Sequence, residues 1–161
     1  MLSLFIYYEN LHFKIYTMKT IYSLLILLAL TLGTNVNAQS ISASKIFKYL
    51  DSQDITEISK DLKTLQFVSL GTGTQYNSTM YSYKKTGNYG VEEFSIVSNA
   101  ELFSVLYKPV KSFYLSMKEK MLTSDFIYSY SHNSTKYYES SSTRIGVNDV
   151  SGIISFFVEL K

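Results

Sequence analysis

Cysteine and tryptophan are absent from this chain, and Pro109 is its single proline. The absence of cysteine excludes a disulfide framework, a thiolate metal site, a cysteine nucleophile and a lipid-modified cysteine. Any fold of the chain must therefore be held together by packing. In an exported protein, the same absence suits a periplasm-like space or a bacterial surface better than a eukaryotic extracellular space.

The chain also lacks an excess of charge of one sign. Of its 161 residues, 15 are Lys or Arg and 13 are Asp or Glu. This balance provides no long-range field that would attract nucleic acid or anionic lipid. We therefore exclude nucleic acid from the expected partners.

The beginning of the chain has the pattern of a signal peptide. Met18 and Lys19 form a basic start, residues 21–32 are largely apolar, and Val36-Asn37-Ala38 is a small-residue cleavage site before Gln39. A membrane anchor is the alternative, but the apolar run is shorter than the about 20 residues that a spanning helix needs. The pattern favours cleavage.

Cleavage would divide the chain into three parts. Residues 1–17 are interpreted as an over-called start, residues 18–38 as the signal peptide, and residues 39–161 as a single exported domain. The domain is expected to be secreted or periplasmic, with no stable membrane span after cleavage.

Three segments of the exported domain have the pattern of helices. Asp54 and Glu57 have the spacing of a capping box, which predicts the start of a helix. An apolar stripe at helical spacing follows: Ile55, Ile58, Leu62 and Leu65. A shorter helix is predicted at residues 43–51, so that the two form a hairpin. A third is predicted at residues 110–122, with a buried face made by Phe113, Met117 and Met121.

Alternating apolar and polar residues predict strands elsewhere. The predicted strands cover residues 67–72, 79–85, 91–98, 101–107, 125–131, 135–141 and 152–160. Residues 98–101 have the form of a helix cap, but the period-two spacing of Phe103, Val105 and Tyr107 favours a strand over a helix there. The predicted fold class is α+β, with an N-terminal helical hairpin and a later helix packed on an antiparallel sheet.

The order of predicted elements suggests an internal duplication of a helical layer plus a β-meander. At an offset of 56 residues, Asn77-Ser78-Thr79, Tyr81 and Gly90-Val91 recur as Asn133-Ser134-Thr135, Tyr137 and Gly146-Val147. Because Asn, Ser, Thr and Tyr are abundant in this chain, chance similarity is the alternative.

The sequence contains no recognisable catalytic, metal-binding or cofactor-binding motif. His132 is the single histidine after the signal peptide, and its turn-like surroundings predict an exposed residue. Glu92 and Glu93 are adjacent on a predicted strand, so they should point to opposite faces, and we interpret them as solvated edge charges. A carboxylate site around Asp125, His132 and Glu139 is the enzymatic alternative.

Tyrosine is the most frequent aromatic residue, with 15 copies in the chain. Two rows alternate with polar residues and are predicted to face the core: Tyr81 with Tyr83, and Phe126 with Tyr128 and Tyr130. Three others, Tyr76, Tyr89 and Tyr138, are assigned to turns or loops and are the candidate binding residues, because a tyrosine ring offers an apolar body with a polar tip.

These observations favour a non-enzymatic exported domain that binds another protein or an envelope polymer through its sheet face or its loops. An envelope hydrolase with the carboxylate and histidine site described above is one alternative. A purely structural component of the envelope is the other. No cofactor is expected.

Overall fold

The computed structural model describes residues 41–160, so the predicted signal peptide and its cleavage site lie outside the described residues. The described part contains the helices α1 (Ala43–Ser52), α2 (Ile55–Thr64) and α3 (Tyr114–Met121), with a 3₁₀ turn at Lys111–Phe113. Its eight strands are β1 (Val68–Gln75), β2 (Ser78–Gly87), β3 (Gly90–Ser98), β4 (Leu102–Lys108), β5 (Ile127–His132), β6 (Thr135–Glu139), β7 (Arg144–Asn148) and β8 (Ile153–Glu159).

Caps define the N-terminal helical hairpin. At the start of α1, the Ser42 hydroxyl accepts a hydrogen bond from the Lys45 amide at 3.2 Å. Gln53 ends α1 in the left-handed region, with φ 51°, and Asp54 then caps α2 by accepting from two backbone amides at 2.8 and 3.0 Å. The predicted cap and hairpin are confirmed.

The strands form one antiparallel sheet in the order β1-β2-β3-β4-β8-β7-β6-β5. The first four strands and the last four each form a meander, and the two meanders join where β4 pairs with β8. α1 contacts β4, β8 and α3, while α2 contacts β1. The predicted α+β class, with helices packed on an antiparallel sheet, is therefore confirmed.

The core lies between the helices and one face of the sheet, which we call the helix-covered face. One row of side chains on this face crosses five strands: Tyr81, Ile96, Val105, Phe156 and Ile145. Phe94 and Tyr107 are also fully buried on it. Each such side chain contributes roughly 1.5–3 kcal/mol through removal of its apolar surface from water. The other side of the sheet is the helix-free face.

Two similar clusters fix the helices at their exposed sides. In the first, Lys45 and Tyr49 of α1 both bind the Asp61 carboxylate of α2, with a Lys45 Nζ to Asp61 Oδ2 distance of 2.8 Å. In the second, Lys118 and Tyr114 of α3 bind Asp149, in the β7–β8 turn, at 2.7 and 2.8 Å. In both clusters the lysine and the tyrosine are four residues apart, one helical turn, so they reach the same carboxylate.

The third helix differs slightly from its prediction. Residues 111–113 form a 3₁₀ turn, and the α-helix begins only at Tyr114. Met117 and Met121 are fully buried, as their spacing predicted, but Phe113 is only half-buried and Tyr114 occupies the core instead. The tighter winding of a 3₁₀ turn rotates Phe113 away from the stripe.

Strand β7 was missing from the predicted strands. Its five residues, Arg-Ile-Gly-Val-Asn, contain a central glycine and polar ends, so the alternating pattern is too short to recognise. The contested segment at 101–107 is a strand, β4, as its period-two spacing predicted.

The duplication remains a prediction. Both meanders have the same strand order relative to the β4–β8 junction, and Asn77 and Asn133 occupy equivalent hairpin turns with positive φ. The Gly-Val match of the repeat does not correspond in the structure, because Gly90 is the first residue of β3 whereas Gly146 is the third residue of β7.

Within residues 41–160, no helix combines the length and the apolar character that are needed to cross a membrane.

Candidate binding surface

The three tyrosines that the sequence proposed for binding do not lie together. Tyr76 is 90% exposed in the β1–β2 turn, and Tyr89 is 53% exposed in the β2–β3 turn. These turns lie at opposite ends of β2, about 30 Å apart for a strand of this length. Tyr138 is not a loop residue, because it lies within β6 and packs against the core from the helix-covered face. The three residues therefore form no common site.

The predicted core rows of aromatic residues are only partly correct. Tyr83 is buried, and its hydroxyl lies 2.6 Å from the Ser59 hydroxyl of α2. Tyr81 and Phe126 are half-buried against the core. Tyr128 and Tyr130 are 55% and 42% exposed, so their assignment to the core was wrong. They lie on β5, one of the two edge strands of the sheet.

A β-bulge in β5 separates Tyr128 and Tyr130. Tyr128 pairs with Tyr138, but the next pair is Tyr130 with Tyr137, so the register passes over Ser129. Residues two apart normally share a face of the sheet, and one extra residue reverses this alternation. Tyr128 therefore joins Tyr138 on the helix-covered face, whereas Tyr130 joins Tyr137 on the helix-free face.

On the helix-free face, Tyr130, Tyr137 and Phe157 form what we call the aromatic cluster. The rings of Tyr130 and Tyr137 stack with centroids 4.7 Å apart and planes 19° apart, and the Tyr137 centroid lies 6.3 Å from that of Phe157. Gly146 makes room for this arrangement, because a Cβ there would lie 2.9 Å from Cε1 of Tyr137. The cluster is therefore built on a glycine that a neighbouring ring covers.

Arg144 binds the edge of the aromatic cluster. Its Nε donates a hydrogen bond to Oε1 of Glu139 at 2.7 Å, and its guanidinium carbon lies 6.0 Å from the centroid of the Tyr130 ring. The hydrogen bond to Glu139 raises the pKa of the Arg144 guanidinium above its usual value. The side chain is thus a fixed cation held by a carboxylate and a ring.

A groove of about 520 Å³ opens next to Arg144. Strand β7 begins at Arg144, opposite Phe157, so the last two residues of β8 have no partner on β7. The β6–β7 loop, residues 140–143, lines the resulting gap. Phe157 of the aromatic cluster and the adjoining Arg144 both line the groove, so the groove and the cluster form one continuous surface.

The helix-free face of the first meander also carries accessible apolar side chains. Met80 is 42% exposed there, and Val97 and Leu106 are half-buried. Met80, Val97, Ser104, Phe157 and Arg144 lie in one row across five strands. Met80, Val97 and Phe157 form an apolar strip in this row, interrupted by the buried Ser104, that runs from the first meander to the aromatic cluster in the second.

The two adjacent glutamates point to opposite faces, as their positions predicted, but only one is solvated. Glu93 is exposed, with Oε2 3.6 Å from Nζ of Lys108. Glu92 is only 2% exposed, and its Oε2 accepts a hydrogen bond from the Tyr107 hydroxyl at 2.6 Å. The interpretation of Glu92 as an edge charge was wrong, because β3 is an inner strand and its helix-covered face is buried.

The residues of the enzymatic alternative are not brought together. His132 pairs with Thr135 and Glu139 with Ile127, at opposite ends of the β5–β6 hairpin and about 13 Å apart along β6. His132 is exposed, as predicted, and Asp125 is exposed before β5. Among residues 41–160, no group of three or more histidine, aspartate or glutamate side chains is placed to hold a metal ion.

Part of this surface had a signal in the sequence. Phe156 and Phe157 are adjacent on a strand, as are Tyr137 and Tyr138, so one member of each pair has to lie on the face away from the core. The location of Arg144 had no such signal, since the strand that carries it was not recognised.

Comparison of the chain with protein-family models, with curated proteins and with solved structures finds no match.

Proposed function

We propose that this chain is an exported, non-enzymatic domain that binds another protein through the helix-free face of its sheet. The observation that carries the proposal is the aromatic cluster, which stays partly exposed next to Arg144 although the core is complete on the other face. Tyrosine and arginine are enriched in the centres of protein interfaces, where they supply a large share of the binding energy.

The order within the cluster supports this proposal. Tyr130 and Tyr137 stack on each other, and Glu139 and Tyr130 hold Arg144. Side chains that are already fixed lose little conformational entropy when a partner binds, which lowers the cost of association. Tyr76, which is 90% exposed in a turn, does not have such packing.

The helix-free face is also wide enough for a stable protein interface. Met80 on β2 and Tyr130 on β5 are separated by six strand spacings, which is about 29 Å. A stable protein interface buries about 800 Å² on each partner, and a patch of this area has about the same width as the distance from Met80 to Tyr130. The apolar strip from Met80 to the aromatic cluster crosses most of it.

Site-specific photocrosslinking in the native host tests the proposal. Tyr130 and Met80 are each replaced by a photoreactive phenylalanine, and Leu115, an exposed apolar residue on α3, is the matched control. We expect one defined protein adduct, the same from both positions on the helix-free face and absent at Leu115. Equal labelling at all three positions, or none, would contradict the proposal. Adducts that contain only polysaccharide would replace the protein partner by an envelope polymer.

A further inference from the structure

We propose that the groove beside the β6–β7 loop binds an uncharged glycan. This site goes beyond the protein-binding function and does not depend on it. The groove is lined by both apolar and polar side chains. Its lining consists of Leu102, Phe157, Val158 and Leu160, of the hydroxyl residues Ser140, Ser141, Ser142 and Thr143, and of Glu139, Arg144 and Glu159.

This composition matches the chemistry of a saccharide ring. Such a ring has C–H faces, which pack on aromatic and aliphatic side chains, and a rim of hydroxyls that both donate and accept hydrogen bonds. Phe157 offers the ring surface, while Arg144 can donate and Glu159 can accept. The volume of about 520 Å³ lies within the usual range for small-ligand sites.

The charges of the groove favour an uncharged ligand. Glu139 already neutralises Arg144 through a hydrogen bond of 2.7 Å, and Glu159 adds a further carboxylate to the lining. The groove therefore carries one negative charge in excess, which repels an acidic polymer. Hydrogen bonds to a sugar hydroxyl require no opposite charge on the ligand.

The rim of the groove is formed in advance. The Ser140 amide donates a hydrogen bond to the Thr143 carbonyl at 2.9 Å, and the Ser140 hydroxyl donates to the same carbonyl at 3.2 Å. Ser141 and Ser142 are exposed at the tip of this closed loop, where they are accessible to a ligand. A fixed loop loses little entropy on binding, which favours recognition of a weakly held ligand such as a glycan.

Titration of the purified protein followed by backbone-amide NMR tests this site. The probes are hexamers of N-acetylglucosamine, β-1,4-linked glucose and α-1,4-linked glucose, with hexagalacturonate as the acidic comparison. We expect at least one neutral hexamer to shift the amides of residues 140–144 and 157–160, and hexagalacturonate to bind more weakly. If no neutral hexamer shifts these amides, or if hexagalacturonate binds most tightly, the proposal is overturned.

Three variants assign the effect to the groove. R144A removes a charged donor and should weaken binding of the neutral hexamer about 10- to 100-fold. Glu159→Gln removes the excess negative charge, so it should strengthen the binding of hexagalacturonate relative to that of the neutral hexamer. Lys108→Ala breaks a comparable surface ion pair, with Glu93, elsewhere on the helix-free face and should change neither.

The outcomes separate this site from the protein-binding face. Loss of binding in Lys108→Ala equal to that in R144A would overturn the groove as the site, because Lys108 does not line it. Met80 lies outside the groove, so Met80→Asp should abolish the protein adduct formed from position 130 and leave glycan binding unchanged. The two proposals can therefore fail independently.

Discussion

Both faces of the sheet carry aromatic side chains, but the rings are buried on one face and remain accessible on the other. On the helix-covered face, Phe94 and Phe156 are fully buried beneath the helices. On the helix-free face, Tyr130, Tyr137 and Phe157 cover one another and remain accessible. Aromatic content therefore does not distinguish core from surface in this protein. The position of the helices, together with the bulge in β5, makes the distinction.

Two adjacent phenylalanines give the largest expected contrast between the faces. Phe156→Ala should lower the free energy of unfolding by about 3–5 kcal/mol, because it leaves a cavity beneath α1. Phe157→Ala removes a half-buried ring from the other face and should cost about 1–2 kcal/mol. Urea denaturation of both variants measures the difference. Equal losses would mean that the helix-free face is also a packed core.

Gly146→Ala should destabilise the helix-free face without touching the core. The new Cβ would lie 2.9 Å from Cε1 of Tyr137 and 3.1 Å from Cγ2 of Thr135, so the ring has to move, at a cost of about 1–3 kcal/mol. In the double variant with Tyr137→Ala the clash with the ring disappears, and the two effects should not add. Thermal denaturation of the two single variants and the double variant is the measurement. Additive losses would show that the ring does not rest on this glycine.

The two clusters that fix the helices predict a loss of stability in acid. Hydrogen bonds from Lys45 and Tyr49 outweigh the effect of burial and lower the pKa of Asp61, while Lys118 and Tyr114 lower that of Asp149. A lowered pKa in the folded state stabilises the fold above the ordinary carboxyl value, about 3.9, and this contribution disappears as the pH falls through the lowered value.

Because both carboxylates are partly exposed, each cluster should contribute about 1 kcal/mol or less. Asp61→Asn and Asp149→Asn should each be less stable than the parent at pH 7, and this difference should shrink as the pH falls below about 4. Denaturant titrations at pH 7 and pH 3 check this. A difference that stays constant with pH would exclude the carboxylates as its source.

The exposed tyrosines give the smallest effects. Tyr76→Ala should change the free energy of unfolding by less than about 0.5 kcal/mol, because the side chain is almost fully exposed, and Tyr128→Ala by about 1 kcal/mol or less. Tyr83→Ala, on the helix-covered face, is the control and should cost about 3 kcal/mol or more. If Tyr128→Ala matched Tyr83→Ala, the helices would cover more of β5 than the structure shows.

Much of this architecture could be predicted from the sequence because its signals are local. The cap at Asp54 fixes the start of α2, and the spacing of Met117 and Met121 fixes the inner face of α3. The period-two pattern of β4 was sufficient to choose a strand over a helix. Each of these three features depends on residues close in sequence, so it can be predicted without knowing the rest of the fold.

The candidate site could not be predicted in the same way because it depends on pairing between distant segments. The bulge at Ser129 leaves no mark in the sequence, yet it decides the face on which Tyr130 lies. Arg144 and Glu139 meet only because β6 and β7 pair in that register. The adjacency of Phe156 and Phe157 did indicate that an aromatic residue had to lie outside the core.

The single extra residue in β5 also determines which related sequences could keep the aromatic cluster. A relative that has lost Ser129 would have its two tyrosines adjacent on a regular strand, so they would still lie on opposite faces and the second would still stack on Tyr137. A relative that keeps Ser129 but pairs it with Tyr137 would instead turn Tyr130 to the helix-covered face and lose the stack, although every aromatic residue is still present. In an alignment, a gap at Ser129 would therefore be compatible with the surface, although it removes the bulge.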